Sequence, residues 1–594
     1  MQAHCSVMTY TEEQKRIIES TGNIIINAVA GSGKTTTLIE YAHTRPAKSR
    51  ILYLAFNNSV QKEAARKFKS KNIDNVDVFT AHALAKKYVF AKNKFNIKAE
   101  SYKTFEIAEL LDLAPDPKNH TDLILAKHIL RFAAFYCNSD VDSPTELNYL
   151  DTLADPQAIH FVSNYLELIE EKTVFFLKEM NQKKIDITHD FYLKKFQLSS
   201  PQLPYDYILF DEGQDASKAM LHVFLKQEAH KVIVGDTHQQ IYGWRFAINS
   251  LQQVDFQNYP LSQSFRFDDQ IAFLANNILD WKKKHFKQET ITIKGYPVKK
   301  EFNSAATIAR SNVALLDAAI KYIQQNPFSS IYFEGNISSY TYAEETGTSI
   351  YDVLNLMNGK HDLIKDKLVR KMANLEELIQ YVEKTEDSSV GMVIEIVTKY
   401  GDLLPDLIKK LKQKHVLDDL RHEASMIFST VHRCKGMEYD SVFLCDDFIT
   451  QESLYEALKE EEITEKRKLQ LAEEVNILYV ACTRTKSKLH LPTNINPFDT
   501  IQWEFPGDKM DKTELLTKLK SINTIEDLKI LTNQLGLNDN KPTNHGKKWD
   551  AEEISLLKRL HKEKKNLEEI ALQLKRSTIA IEMKINSMGL SPEE

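Results

Sequence analysis

The segment from Ile24 to Thr36 constrains this chain more than any other, because an apolar run from Ile24 to Ala30 enters GSGKTT and leaves as the helical pattern TLIEYA. Strand, glycine-rich turn and helix in that order form a cradle for phosphate. Gly31 and Gly33 let the backbone approach an anion, while Ala30, Ser32 and Thr36 complete the loop around it. Successive N–H groups and the helix N-terminus face the oxygens, Lys34 reaches the terminal phosphates and Thr35 offers a hydroxyl to Mg²⁺. Ala28 replaces the first glycine of the general G-x-x-x-x-G-K-[ST] pattern, so the match is partial and a turn that binds nothing is the competing reading.

The same alternation recurs in ILYLAF (Ile51 to Phe56), VDVFTAH (Val76 to His82), YDYILFDEGQD (Tyr205 to Asp215) and HKVIVGD (His230 to Asp236). Buried strands separated by helical stretches predict a parallel α/β sheet. A second set, TIARSN (Thr307 to Asn312), MIFSTVH (Met426 to His432) and SVFLCDD (Ser441 to Asp447), predicts another. Long helical patterns interrupt both sets. The expected fold is α/β, with two parallel-sheet domains that each carry a mainly helical insertion, plus a small all-α C-terminal module. The first sheet domain is assigned to residues 1–92 and 201–265 with an insertion over 93–200, and the second to 266–324 and 419–504 with an insertion over 325–418. A linker at 505–547 leads to the module at 548–594.

At 594 residues the chain exceeds the roughly 150 expected of one domain. Its 42% hydrophobic and 27% charged residues are those of a globular protein. No apolar run approaches the roughly 18 residues of a membrane helix, and MQAHCSVMTYTEEQ lacks the regions of a signal peptide, so no membrane association is expected. The expected location is the cytosol, near the nucleoid, in a prokaryote and the nucleus in a eukaryote. Five scattered cysteines read as reduced thiols. Lys and Arg number 77 against 83 Asp and Glu, a net charge of −6, so a nucleic-acid partner requires a local basic groove.

Asp211 and Glu212 end the apolar run Ile208 to Phe210 and should project from the C-terminal edge of the first sheet, where open α/β folds bind ligands. There Asp211 would hold Mg²⁺, and Glu212 would accept the proton of an attacking water. With these motifs in order, the chain resembles the superfamily 1A DNA helicases of the UvrD/Rep kind, with two RecA-like domains, over roughly residues 9 to 500. Gln14 in YTEEQKRII matches that family's adenine-reading glutamine, whose amide suits the adenine edge. The resemblance implies that Gln239 in VGDTHQQIYGWR senses the γ-phosphate. It likewise gives Phe265 and Arg266 in SQSFRF the roles of base-stacking ring and arginine finger, Glu438 a ribose contact, and Arg484 in LYVACTRTKSKL the second finger. ATP and Mg²⁺ are the implied cofactors. AFNNSVQKEA, VTKYGDLLPDLIKKLK and VHRCKGMEYDSVFLCDDF place the resemblance closest to the F-box DNA helicases. Only 13 residues precede Gln14 and no F-box is evident among them, so ubiquitin-ligase recruitment is not carried over.

A motor on single strands needs aromatic platforms that stack any base, plus backbone contacts. Phe56 and Asn57, Thr80 and His82, Tyr242 and Trp244, and His432 coincide with segments that line the family's DNA channel; each ring alone reads equally well as core. The Lys-rich WKKKHFK (Trp281 to Lys287) and LIKKLKQKH (Leu407 to His415) read either as phosphate contacts or as solvated helix faces. Between Lys541 and Leu590, 11 Lys and Arg face 7 Asp and Glu, and apolar spacing suggests three short helices of helix-turn-helix or Myb-like kind. DNA attachment and protein docking both fit that tail.

The expected function is an ATP-dependent helicase or translocase, acting as a monomer on single-stranded DNA and on duplex with a single-stranded tail, with 3′ to 5′ polarity implied by the resemblance. The alternative is an ATP-gated remodeller that strips protein–DNA complexes without processive unwinding. A small-molecule P-loop kinase is disfavoured, since it needs no second α/β domain with donors of its own.

Overall fold

The computed structural model describes residues 10–298, 303–341, 348–460 and 463–495, together with 549, 551–562 and eight further positions between 565 and 588. Two compact units divide the chain at Thr500.

The first unit holds two parallel sheets. In the first, six strands run in the order Val76–Thr80, Ile51–Ala55, Tyr207–Phe210, His230–Gly235, Ile24–Ala28, Gln257–Leu261, and every neighbouring pair is parallel. The central strands are mostly apolar because helices cover both faces of such a sheet; Ile51–Ala55 is buried at every position. Parallel pairing also requires a crossover between strands, which the intervening helices supply. Three adjacent central strands therefore end on one edge, at Ala28, Phe210 and Gly235, and the residues that follow them meet there.

The second sheet orders Ile331–Phe333, Met426–Thr430, Ala305–Ala309, Tyr439–Leu444 and Thr485–His490, again all parallel. Ile331–Phe333 pairs with Met426–Thr430, which corrects the boundary of the second insertion: the sheet domain extends into the segment assigned to 325–418. Three residues of strand carry too little pattern to stand out from neighbouring helix.

The first insertion contains the helices Thr104–Leu110, Thr121–Asn138, Pro156–Asn181 and His189–Leu198. It packs against the second through a continuous apolar core that includes Phe132, Phe176, Leu378 and Tyr381. Arg131 bonds Glu386 at 2.7 Å and His120 meets Glu377 at 2.9 Å across that seam.

In the C-terminal unit the helix Ala551–Lys562 contributes Leu557 and Leu560 to a small core with Ile570, Leu574, Ile581 and Ile585. These are apolar positions that the sequence spacing marks. The linker expected at 505–547 lies outside the described residues. Among the described residues no helix is long and apolar enough to cross a membrane.

Candidate active site

The turn after the Ile24–Ala28 strand takes the shape that phosphate binding requires. Gly31 and Gly33 have φ of +73° and +80°, conformations that side chains resist. A Cβ on Gly31 would also lie 2.5 Å from Cβ of Arg266, so the turn and the SQSFRF segment pack with nothing between them. The helix Lys34–His43 begins at once, with no side chain capping its N-terminus, which leaves its first N–H groups facing the cleft.

Lys34 Nζ lies 3.0 Å from Oε1 of Glu212. Burial works against the lysine's charge, but Glu212, Asp236 and Asp211 outweigh it and raise its pKa. Burial and the adjacent Glu212 charge push Asp211 up, whereas Lys34 and Lys435 hold Glu212 down against its own burial. One member of this carboxyl pair is thus held charged at the other's expense. The Tyr53 hydroxyl donates to Asp211, and the Gln214 amide donates to Glu212. Glu212 itself has φ of +53°, a left-handed backbone that turns its side chain off the strand end.

Opposite stand side chains of the second sheet domain. Arg266 Nε donates to Glu438 at 2.9 Å, and its Nη1 donates to the Thr483 carbonyl at 2.9 Å. Arg484 is almost wholly buried; its Nε donates to the Val480 carbonyl at 3.1 Å. Burial pulls its pKa down to about 10. Among the described residues, Arg484 Nη2 and the buried Ser32 hydroxyl have no hydrogen-bond partner, and both residues line one cleft. That cleft, of about 440 Å³, is also lined by Gly31, Gly33, Lys34, Thr35, Thr36, Asp211, Glu212, Gln239, Phe265, Arg266 and Glu438. Unpartnered donors beside a glycine turn and a lysine suit a polyphosphate, and Thr35 with Asp211 offers oxygen ligands of the kind Mg²⁺ takes.

Gln239 is buried beside this wall, where its amide donates to Asp236 at 2.8 Å. Gln14 sits behind the turn: its Nε2 donates to Thr37 at 3.2 Å, and its Oε1 accepts from the Thr11 N–H in a capping box. It is not among the residues lining the cleft. Ala30 is buried, and its N–H points to the Tyr479 hydroxyl at 3.4 Å. Phe265 is 40% exposed beside Tyr296, with ring centroids 5.4 Å apart.

The aromatic candidates fall into two groups. Phe56 stacks on Tyr242 at 5.5 Å, Tyr242 donates to the His432 carbonyl at 3.0 Å, and Asn57 caps the helix Asn58–Ser70 next to them. Burial pulls His432 down to about 4, so it is neutral near pH 7 and its Nε2 donates to the Ile241 carbonyl at 3.0 Å. Trp244, 63% exposed, follows in the same turn, with the Arg245 guanidinium 4.6 Å from its ring. Thr80 and His82 stand apart. Thr80 is buried as the cap of the helix Ala81–Lys92, and His82 lies against His189 and Tyr192 of the first insertion.

Two residues of the site escaped sequence reading. Lys435 pairs with the buried Asp215 and donates to the Gln239 carbonyl at 2.6 Å. Tyr479 donates to Asp236 at 3.0 Å. Their only signal in the sequence is a lysine beside a glycine and a polar-tipped ring inside an apolar helix, a ring that needs a partner once buried. Lys282 in the WKKKHFK run is buried and donates to Asn476 at 2.9 Å, which corrects the reading of the whole run as a phosphate or solvent face.

A tandem of RecA-like sheet domains, with one phosphate-shaped cleft lined from both, is the class that this geometry defines. Residues 10–260 match the UvrD/REP helicase N-terminal domain. The chain is 29% identical over 522 residues to F-box DNA helicase 1 of Gallus gallus, covering 82% of this chain and 49% of that protein. It is 28% identical over 548 residues to F-box DNA helicase protein 1 of Schizosaccharomyces pombe, covering 83% and 58%. DNA helicase II of Haemophilus influenzae is 23% identical over 300 residues, or 45% of this chain and 40% of that one. The chain therefore spans roughly half the length of the two F-box helicases it matches.

Proposed function

We propose that this chain is an ATP-dependent DNA helicase that moves 3′ to 5′ on single-stranded DNA as a monomer. The observation that carries the reading is the position of Arg266 and Arg484, from the second sheet domain, on the cleft that holds Lys34 and Glu212. Charge builds on the transferred phosphoryl oxygens, and a guanidinium brought to them is worth about 10³ to 10⁵ in rate in related systems. Hydrolysis then depends on how the two domains stand to each other, which makes domain motion and chemistry one event.

Lys34 neutralises the terminal phosphates; in taking them up it leaves Glu212, which is then free to accept the proton of the attacking water. Thr35 and Asp211 would hold Mg²⁺, which neutralises phosphate charge when bound. Arg266 leaves Glu438 for the phosphates, and Glu438 is released toward the ribose. Gln14 turns from Thr37 to the adenine edge, Phe265 stacks on the base, and Gln239 reports the γ-phosphate. Phe56, Asn57, Tyr242, Trp244 and His432 form the platform for the strand, with Thr80 and His82 further along its path. Duplex carrying a 3′ or a 5′ single-stranded tail tests the reading. Strand displacement with ATP on the 3′-tailed duplex alone is expected. ATP hydrolysis without displacement on either duplex would favour a remodeller of protein–DNA complexes.

A further inference from the structure

The helix Glu465–Cys482 does more than deliver Arg484 to the cleft. Its residues Glu473, Asn476 and Tyr479 are spaced by three and so lie along one face, and each bonds a different part of the first sheet domain. Tyr479 holds Asp236, and Asn476 Nδ2 donates to the Gln240 carbonyl at 2.8 Å. Glu473 Oε1 accepts from the Gly243 N–H at 3.1 Å.

Gly243 opens the turn that presents Trp244. A Cβ there would lie 2.3 Å from Oε2 of Glu473, so the glycine is what lets the carboxyl group close on the backbone. The neighbouring Glu474 is held by Arg310 through bonds of 2.8 and 2.6 Å, which fixes the helix at this level. From Glu473 to Cys482 the helix runs about 14 Å at 1.5 Å per residue. It ends at Thr483, whose carbonyl accepts from Arg266, and at Arg484 itself. One helix thus has the exposed Trp244 turn bonded at one level and, at its end, Arg484 and the carbonyl that holds Arg266.

We propose that Glu473 is a positioning residue for nucleotide hydrolysis, coupling the Trp244 turn to the two arginines at the far end of its helix. This rests on the helicase reading above. A strand seated on Trp244 fixes the turn, the Glu473 bond passes that position to the helix, and the helix sets Arg266 and Arg484 against the phosphates. Without the bond, the helix still holds Gln240 and Asp236 through Asn476 and Tyr479 but loses its direct hold on the turn itself, and strand occupancy no longer dictates the arrangement of the arginines.

The test uses the full chain, an oligo(dT) strand as probe, steady-state phosphate release with and without it, and strand affinity by fluorescence anisotropy. Glu473→Ala is expected to keep the strand-free rate and the strand affinity. It should lose about tenfold in stimulated rate. Glu473→Gln, whose amide oxygen can accept the same N–H, should retain most of the stimulation. Gly243→Ala should reproduce the loss from the other side, and the double variant should lose no more than either single one. Normal stimulation in Glu473→Ala, or equal damage in Glu473→Gln, overturns the coupling. Absence of stimulation in the unaltered chain overturns the helicase reading itself, and the proposal with it.

Discussion

The two sheet domains approach the cleft in different ways. The first brings backbone: adjacent parallel strands end at Ala28, Phe210 and Gly235, and the glycine turn, the Asp211–Glu212 pair and Asp236 follow directly from those ends. The second brings the tips of long side chains, Arg266, Lys435, Glu438 and Arg484, from loops and helix ends. Strand ends in one sheet cannot move apart without breaking the ladder, whereas the side chains of the second domain reach the cleft from outside that ladder. On the proposed reading, nucleotide binding belongs mainly to the first domain and rate control to the second.

Breaking each side separately sharpens that division. Lys34→Ala removes the cation on the phosphates and should abolish both tight ATP binding and hydrolysis. Arg484→Ala should leave ATP binding within a few fold and cut the stimulated rate by about 10³ or more. Nucleotide affinity by equilibrium dialysis and phosphate release by steady-state assay decide it. Equal loss of binding in both variants would erase the distinction between the domains.

A smaller effect is expected where the strand meets the turn. Trp244 is exposed, so Trp244→Ala should leave the nucleotide site intact. Loss of one stacking platform costs about 1 to 3 kcal/mol, a rise of about 5- to 150-fold in the strand concentration for half-stimulation. Strand titrations of phosphate release measure it, and an unchanged midpoint would move the platform elsewhere.

The same contrast explains what was legible in the sequence. Buried central strands announce themselves as apolar runs, so Ile24–Ala28, Ile51–Ala55, Tyr207–Phe210 and His230–Gly235 could be read directly, and with them the P-loop and the acidic pair. The edge strands Gln257–Leu261 and Thr485–His490 could not. Their sequences, QNYPL and TKSKLH, are polar because one side of an edge strand has no neighbour, and Pro260 is tolerated only there. Side chains that act across the domain interface were legible only by resemblance, as with Arg266 and Arg484, or not at all, as with Lys435 and Tyr479. Their partners lie far off in the chain, Asp215 from Lys435 and Asp236 from Tyr479, and no local periodicity encodes such pairings.

The smallest effect belongs to the C-terminal unit, which has its own core of Leu557, Leu560, Ile570, Leu574, Ile581 and Ile585 and lies outside the first unit that contains the cleft. Its charge excess of four, 11 basic against 7 acidic residues from Lys541 to Leu590, is opposite in sign to the whole chain. If it holds DNA, it does so as a tether that raises the local concentration of strand near the motor without touching the chemistry. A chain ending at Asn540 should then keep its maximal stimulated rate at saturating DNA but need more DNA for half-stimulation. The shortfall should shrink as salt rises, because the gain from releasing condensed counterions falls with salt and the tether's phosphate contacts weaken with it. Titrations of both chains at two salt concentrations measure this, and identical midpoints at low salt would assign the unit to protein docking instead.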